Sequence, residues 1–161
     1  MKKLSDDCYL HNDFSVDFSE PIYYKRENTR IHSIQIDHLL ITPAGVFIIE
    51  TKNWSRESLE NLDLRSPIAQ IKRTGYALFL LINGKRSSEL GLKKHHWGDK
   101  SIPVRNVVVM IRHKPRSQFK YVAVKTLKEL NRYVSHFEDV LEPSEVRKVS
   151  MQLGSMISRK Y

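Results

Sequence analysis

The sequence predicts an α/β domain in which a mixed β-sheet is flanked by helices. Three observations lead there. Residues 31–41, IHSIQIDHLLI, and 46–52, VFIIETK, are apolar-rich runs on either side of Thr42-Pro43-Ala44-Gly45, as in a hairpin. The apolar residues between Ile68 and Ile82 recur with helical spacing. Val104–Ile111 ends in a continuous apolar run, Val107–Ile111, the pattern of a strand covered on both faces. Strands come first, then a helix, then two strands and two helices, which is the order of a mixed sheet with helices packed on it.

Taken in order, residues 8–18, CYLHNDFSVDF, alternate loosely and read as a first strand that precedes the hairpin. Ser66-Pro67 reads as an N-cap with proline at the first helical position, and Asn83-Gly84 closes that helix. A polar, basic connection runs from Lys85 to Ser101, and Phe119–Val124 forms a further strand after the buried one. Thr126 and Glu129 have the spacing of a capping box that opens a helix, and Pro143–Ser158 forms the last. At 161 residues the chain is expected to fold as one domain, residues 1–161, with a full core. The one cysteine, Cys8, allows no internal disulfide and fits a reducing cytoplasm. No apolar run reaches membrane-spanning length, and Leu4-Ser5-Asp6-Asp7 is not a signal core.

The charge of +9 is unevenly spread. Residues 1–70 hold 8 Lys/Arg against 11 Asp/Glu, whereas residues 71–161 hold 19 against 7. Between Lys93 and Lys120 there are 8 basic residues and a single acid, Asp99. A polyanion partner would produce this asymmetry, and so would a solvated basic surface.

The hairpin carries the residues with chemistry. Strand alternation puts Val46, Ile48, Glu50 and Lys52 on one side, and Gln35, Asp37, Leu39 and Ile41 on one side of the preceding strand. A symmetric turn about Pro43-Ala44 sets Asp37 opposite Glu50 and Gln35 opposite Lys52. A three-residue loop with Gly45 in a bulge would instead send Asp37 to the other face. Two adjacent carboxylates repel unless a cation intervenes, and hard oxygen ligands suit Mg²⁺. The competing interpretation is a buried Glu50–Lys52 ion pair with Asp37 solvated. Ile36, Leu40, Phe47 and Ile49 should form an apolar opposite face under a helix. His38 is expected to pack in the core, Trp54 to pack as core or lid, and Cys8 to act as a small buried hydrophobe. His95, His96 and Asp99 lack the spacing of a metal site and read, with Lys93, Lys94 and Trp97, as a loop touching nucleic acid.

Asp37 followed by Glu50-Thr51-Lys52 matches the D…(D/E)xK signature of the PD-(D/E)XK nucleases. More narrowly, QIDHLLITPAGVFIIETKNW resembles the core motif of the NERD (nuclease-related) domain. Ser66-Pro67-Ile68-Ala69-Gln70 and Pro103-Val104-Arg105-Asn106-Val107-Val108-Val109 resemble its later motifs, so the likeness covers about residues 8–134. The resemblance implies a restriction-endonuclease-like fold and a cytoplasmic, metal-dependent nuclease that acts on DNA. It implies that Asp37, Glu50 and the Thr51 carbonyl hold Mg²⁺ or Mn²⁺ and that Lys52 positions the attacking water. Gln70 would contact substrate or brace the site, and Gln35 would orient Lys52 or the metal waters. Nucleic-acid contacts would come from Lys72 and Arg73, from Lys93, Lys94 and Trp97, and from Arg112, Lys114 and Arg116. The family's opening helix with its Gly-Glu pair is missing ahead of the first strand here. That departure keeps a second reading open, a nucleic-acid-binding module that retains the fold without activity.

Overall fold

A computed structural model describes residues 6–61, 65–84 and 101–157. Five strands among them form one mixed sheet in the order β1 (Tyr9–Tyr24), β2 (Thr29–Thr42), β3 (Gly45–Lys52), β4 (Val104–Met110) and β5 (Val122–Thr126). The first three strands are antiparallel neighbours, and β3, β4 and β5 run parallel. The helices are α1 (Arg56–Asn61), α2 (Arg65–Asn83), α3 (Leu127–Val134) and α4 (Pro143–Ile157). This is the α/β architecture that the element order predicts. No described helix is long and apolar enough to cross a membrane.

The buried stretches of the central strands, Val46–Ile49 and Val107–Met110, are apolar because both of their faces are covered. In β4, Val108 and Met110 join the larger core cluster with Ile68, Ile71, Leu78 and Leu81 of α2. Val107 and Val109 join the smaller cluster with Val134, against which Leu130, Tyr133 and Phe137 pack. Alternation divides β3 the same way, with Val46 and Ile48 on the α2 side and Phe47 and Ile49 on the α3 side. Thr126 and Glu129 form the expected capping box at the start of α3. At the far end of α2, the Asn83 amide brackets Ile102, donating to its carbonyl at 2.9 Å and accepting from its N–H at 2.7 Å.

The hairpin adopts the symmetric register, with Ile41 opposite Val46 and Leu39 opposite Ile48. Its turn is two residues long. The Ala44 N–H donates to the Thr42 hydroxyl at 3.0 Å, and that hydroxyl donates to the Gly45 carbonyl at 3.1 Å. Gly45 has a φ of 120°, and a Cβ there would lie 2.7 Å from the Pro103 carbonyl oxygen, so no other residue fits.

Several expectations are corrected. β1 does not end near residue 18 but runs to Tyr24, with its register shifting between Asp17 and Ile22. Pro21 is tolerated there because β1 is an edge strand. The strand expected at Phe119–Val124 is Val122–Thr126, with Phe119 making an isolated bridge to Val122. α2 begins at Arg65, so Pro67 occupies its first turn, where a missing N–H costs little. Short α1 has no apolar period in the sequence to announce it. Ile36 does not share a cluster with Leu40, Phe47 and Ile49 but joins Leu39 and Ile41. The buried parity of β2 therefore switches between Ile36 and Leu39. The switch falls where Asp13, in register opposite Asp37, drops out of the β1–β2 ladder at a φ of 52°. His38, in the same step, is half-buried rather than a core residue, with its ring bonded to the Asn12 side chain at 2.7 Å.

The seam between α2 and β4 generates a stability prediction. A Cβ on Gly75 would lie 2.2 Å from Asn106 Oδ1, inside contact distance. At an open helix position Gly→Ala stabilises by about 0.5–1 kcal/mol. Here Gly75→Ala is expected to destabilise by about 1–3 kcal/mol through overpacking. Urea denaturation reads the sign, and adding Asn106→Ala in the same chain should return most of the loss. Equal losses in the single and double variants would rule out this contact as the cause.

Candidate active site

β2 and β3 pair from Thr42–Gly45 as far as His38–Ile49 and then part. Beyond that rung β2 stays with β1, and β3 stays with β4 to Lys52–Met110. The result is a wedge between two strands that are each held from outside. The backbone N–H of Val46 donates to the Pro103 carbonyl and the Lys52 carbonyl accepts from Ile111, so even-numbered β3 residues bond toward β4. By alternation Thr51 turns its N–H and carbonyl the other way, into the wedge. Its N–H donates to Asp37 Oδ2 at 3.3 Å, so a side chain takes over where the ladder has stopped.

Four of the sequence-predicted residues, Asp37, Glu50, Thr51 and Lys52, come together here. The Glu50 carboxyl is half-buried and touches the Asp37 carboxyl, the Asp37 backbone N–H and the field of Lys52. Burial, the Asp37 charge and the hydrogen bond between the two carboxyls push the Glu50 pKa up to about 7, against the Asp37 N–H and Lys52, which pull it down. Ionised carboxylates only accept hydrogen bonds, so this contact requires a shared proton or a cation. A simple Glu50–Lys52 ion pair with a solvated Asp37 does not describe this arrangement.

The other predicted residues are placed as follows. Gln35 is exposed and sits opposite Ser15 of β1; the expected rung to Lys52 is absent because the strands have parted by then. Gln70 is exposed on α2 between buried Ile68 and Ile71, and Trp54 packs at the margin of the larger cluster. Lys72 and Arg73 are half-buried on α2. Arg112, Lys114 and Arg116 follow β4 with exposed side chains, and Lys114, Arg116 and Lys125 line a groove of about 490 Å³ beside edge strand β5. Lys114 is also bonded to Glu129 at 3.0 Å, and that bond holds the Glu129 carboxyl below its usual range. Arg105, in the basic half by sequence, is spent on structure: it donates to the Ala44 carbonyl at 2.8 Å and stacks 3.8 Å from the Phe137 ring centroid. Cys8 is half-buried against the smaller cluster, and burial pushes its thiol up. Lys93, Lys94 and Trp97, with His95, His96 and Asp99, lie outside the described residues.

The family model for NERD, described as a nuclease-related domain, matches residues 3–111 of this chain. No curated protein and no solved structure matches it.

The raised Glu50 pKa makes stability depend on pH in a definite direction. The folded state holds this proton to about pH 7, whereas an unfolded glutamate gives it up near its ordinary value of 4.5. Between those values the folded state binds more protons, so stability falls as pH rises through the window. In chelator, Glu50→Gln should therefore melt above the unmodified protein at pH 8. The gap should be on the order of 1 kcal/mol after solvent screening and should close toward pH 4.5. A gap that does not change with pH would show that the two carboxyls do not interact.

Proposed function

From the premise that the chain belongs to the nuclease-related domain (NERD) family, we propose that it is a metal-dependent phosphodiesterase that cuts DNA at the β2–β3 wedge. The observation that carries this reading is the meeting of Asp37, Glu50 and Lys52 where the strands part. Among the described residues no three His, Cys, Asp or Glu side chains gather around one point. The donors at the wedge are instead two carboxylates and the Thr51 carbonyl. That set fits Mg²⁺ or Mn²⁺, which keep waters and take the remaining ligands from a phosphate. A cation between Glu50 and Asp37 would relieve the repulsion that, with burial, raises the Glu50 pKa. When bound, the ion supplies positive charge against the charge developing on the phosphate.

The chain's own groups do the rest. Lys52 donates to the oxygen of the attacking water and holds it in line with phosphorus. The water oxygen forms a bond to phosphorus as the bond to one sugar oxygen breaks. The water's proton is lost to solvent, and the leaving oxygen regains one. The Thr51 N–H holds the Asp37 carboxylate through Oδ2 and leaves its other oxygen out of that bond. Gln70 contacts the substrate or braces the site, and Gln35 orients Lys52 or the waters of the ion. Lys72, Arg73, Lys93, Lys94, Arg112 and Arg116 contact phosphates without regard to sequence, and Trp97 stacks on a base. A second reading, a module that binds nucleic acid without cutting it, is favoured by the groove at Lys114, Arg116 and Lys125, which requires none of the wedge residues.

Lys52→Ala separates the two. Cleavage of plasmid DNA with Mg²⁺ or Mn²⁺ should fall by about 10²–10³-fold, while DNA affinity measured by fluorescence anisotropy stays at the native value. An unmodified protein that binds DNA and cuts neither plasmid nor single strands with either ion would establish the binding module instead.

A further inference from the structure

A second cluster of chemistry lies where the end of β1, α2 and the β4–β5 connection meet, and it contains none of Asp37, Glu50, Thr51 and Lys52. The end of β1 comes over the helix there: the Tyr24 ring packs 5.1 Å from the Tyr76 ring, with Lys25 and Arg26 beside it. Lys72 and Tyr76 are one turn apart and so share a face of α2. Across from them stands Tyr121, in the β4–β5 connection. Together these residues and Asn106 line an open cleft of about 350 Å³, and none of its described lining residues is acidic. The volume is that of a small-molecule site.

Tyr121 is the unusual member. It holds a φ of 65°, a conformation that a bulky side chain adopts only where its surroundings impose it. Phe119 and Val122 bridge across it, so Tyr121 sits in a two-residue turn that calls for a positive φ. The Asn106 side-chain amide donates to its carbonyl at 3.3 Å, and Asn106 fits there only because Gly75 has no Cβ. The ring gains nothing from this in the core, since Tyr121 is 64% exposed. Lys120 Nζ stands 4.9 Å from the ring centroid. Tyr76 is likewise open, at 39%. The backbone is thus held in a costly shape that presents an aromatic face to solvent among cations.

We propose that this cleft is a nucleotide subsite, in which Tyr121 and Tyr76 take an unpaired base and Lys25, Arg26 and Lys72 take the phosphates on either side. Open aromatic faces accept any base, and the cations follow the backbone charge. The faces of a base stacked in a duplex are covered by its neighbours and cannot lie on a tyrosine ring, so the ligand is a free nucleotide or an unpaired stretch of a strand. The inference rests on the proposed nucleic-acid function for the source of that ligand, and it does not depend on cleavage.

The test is fluorescence anisotropy with a fluorescein-labelled oligo(dT), run in EDTA so that the wedge is silent. Tyr121→Gly should weaken binding about tenfold, the scale of one lost base stack, while leaving thermal stability equal or higher because glycine accepts the positive φ. Tyr121→Phe should bind as the unmodified protein does, and Lys72→Ala should lower the salt slope by about one phosphate contact. Competition by dAMP that is lost in Tyr121→Gly supports a free nucleotide as ligand, and competition by oligonucleotides alone supports a strand. Binding indifferent to Tyr121→Gly, or equal for a matched duplex and for single strands, overturns the subsite. A protein that cuts DNA with Tyr121 irrelevant loses the subsite and keeps the nuclease. One that binds through Tyr121 and cuts nothing keeps the subsite and loses the nuclease.

Discussion

The parting of β2 from β3 is the constraint from which the rest follows. A hairpin that stayed paired to its ends would satisfy every backbone group but would leave no room between Asp37 and Thr51. Here β2 and β3 share the rungs up to His38–Ile49 and then follow their outer neighbours. The backbone N–H set free at Thr51 is taken by the Asp37 side chain. One carboxylate oxygen is thereby fixed, and the Glu50 carboxyl is brought against the other group it most repels. The parity switch in β2 and the left-handed Asp13 opposite Asp37 fall at the same step, so three strands adjust around one side chain.

Much of this was legible in the sequence because the periods were clean. The ladder from Thr42–Gly45 to His38–Ile49 follows from the spacing of the hairpin, and the two-sided cover of β4 follows from four consecutive buried residues. The capping box at Thr126 and Glu129 is a local signal that tertiary structure did not override. What alternation cannot report is where a ladder ends. Carried past His38, it pairs Gln35 with Lys52 and places Ile36 with Leu40, and both fail for the same reason. The tyrosine cluster was invisible for a different reason. Tyr24, Tyr76 and Tyr121 come from a strand end, a helix and a loop, and only the passage of β1 over α2 brings them together.

Charge in the basic half is less uniform than its count implies. Arg105 is turned inward onto Phe137 and the Ala44 carbonyl, and Lys114 is tied to the carboxylate that caps α3. An exposed ion pair such as Lys114–Glu129 contributes little stability. Its effect is to reduce the positive potential beside β5 while leaving Arg116 and Lys125 in the groove. Lys25, Arg26 and Lys72 line their cleft with no described acid among them.

The turn at the closed end of the hairpin is held from every side. The Pro43 carbonyl accepts from both Val140 and Leu141, Ala44 accepts from Arg105, and Val46 is bonded to Pro103. At the open end the strands meet through the Asp37 side chain, which takes the Thr51 N–H and faces the Glu50 carboxyl. In mechanical terms the hairpin is a tuning fork with a rigid handle and two separately braced prongs. Its stiffness is concentrated where no chemistry occurs. The gap at the tips is set by the outer neighbours β1 and β4 and not by the turn, so the two carboxylates face each other across a joint that the hairpin itself does not close.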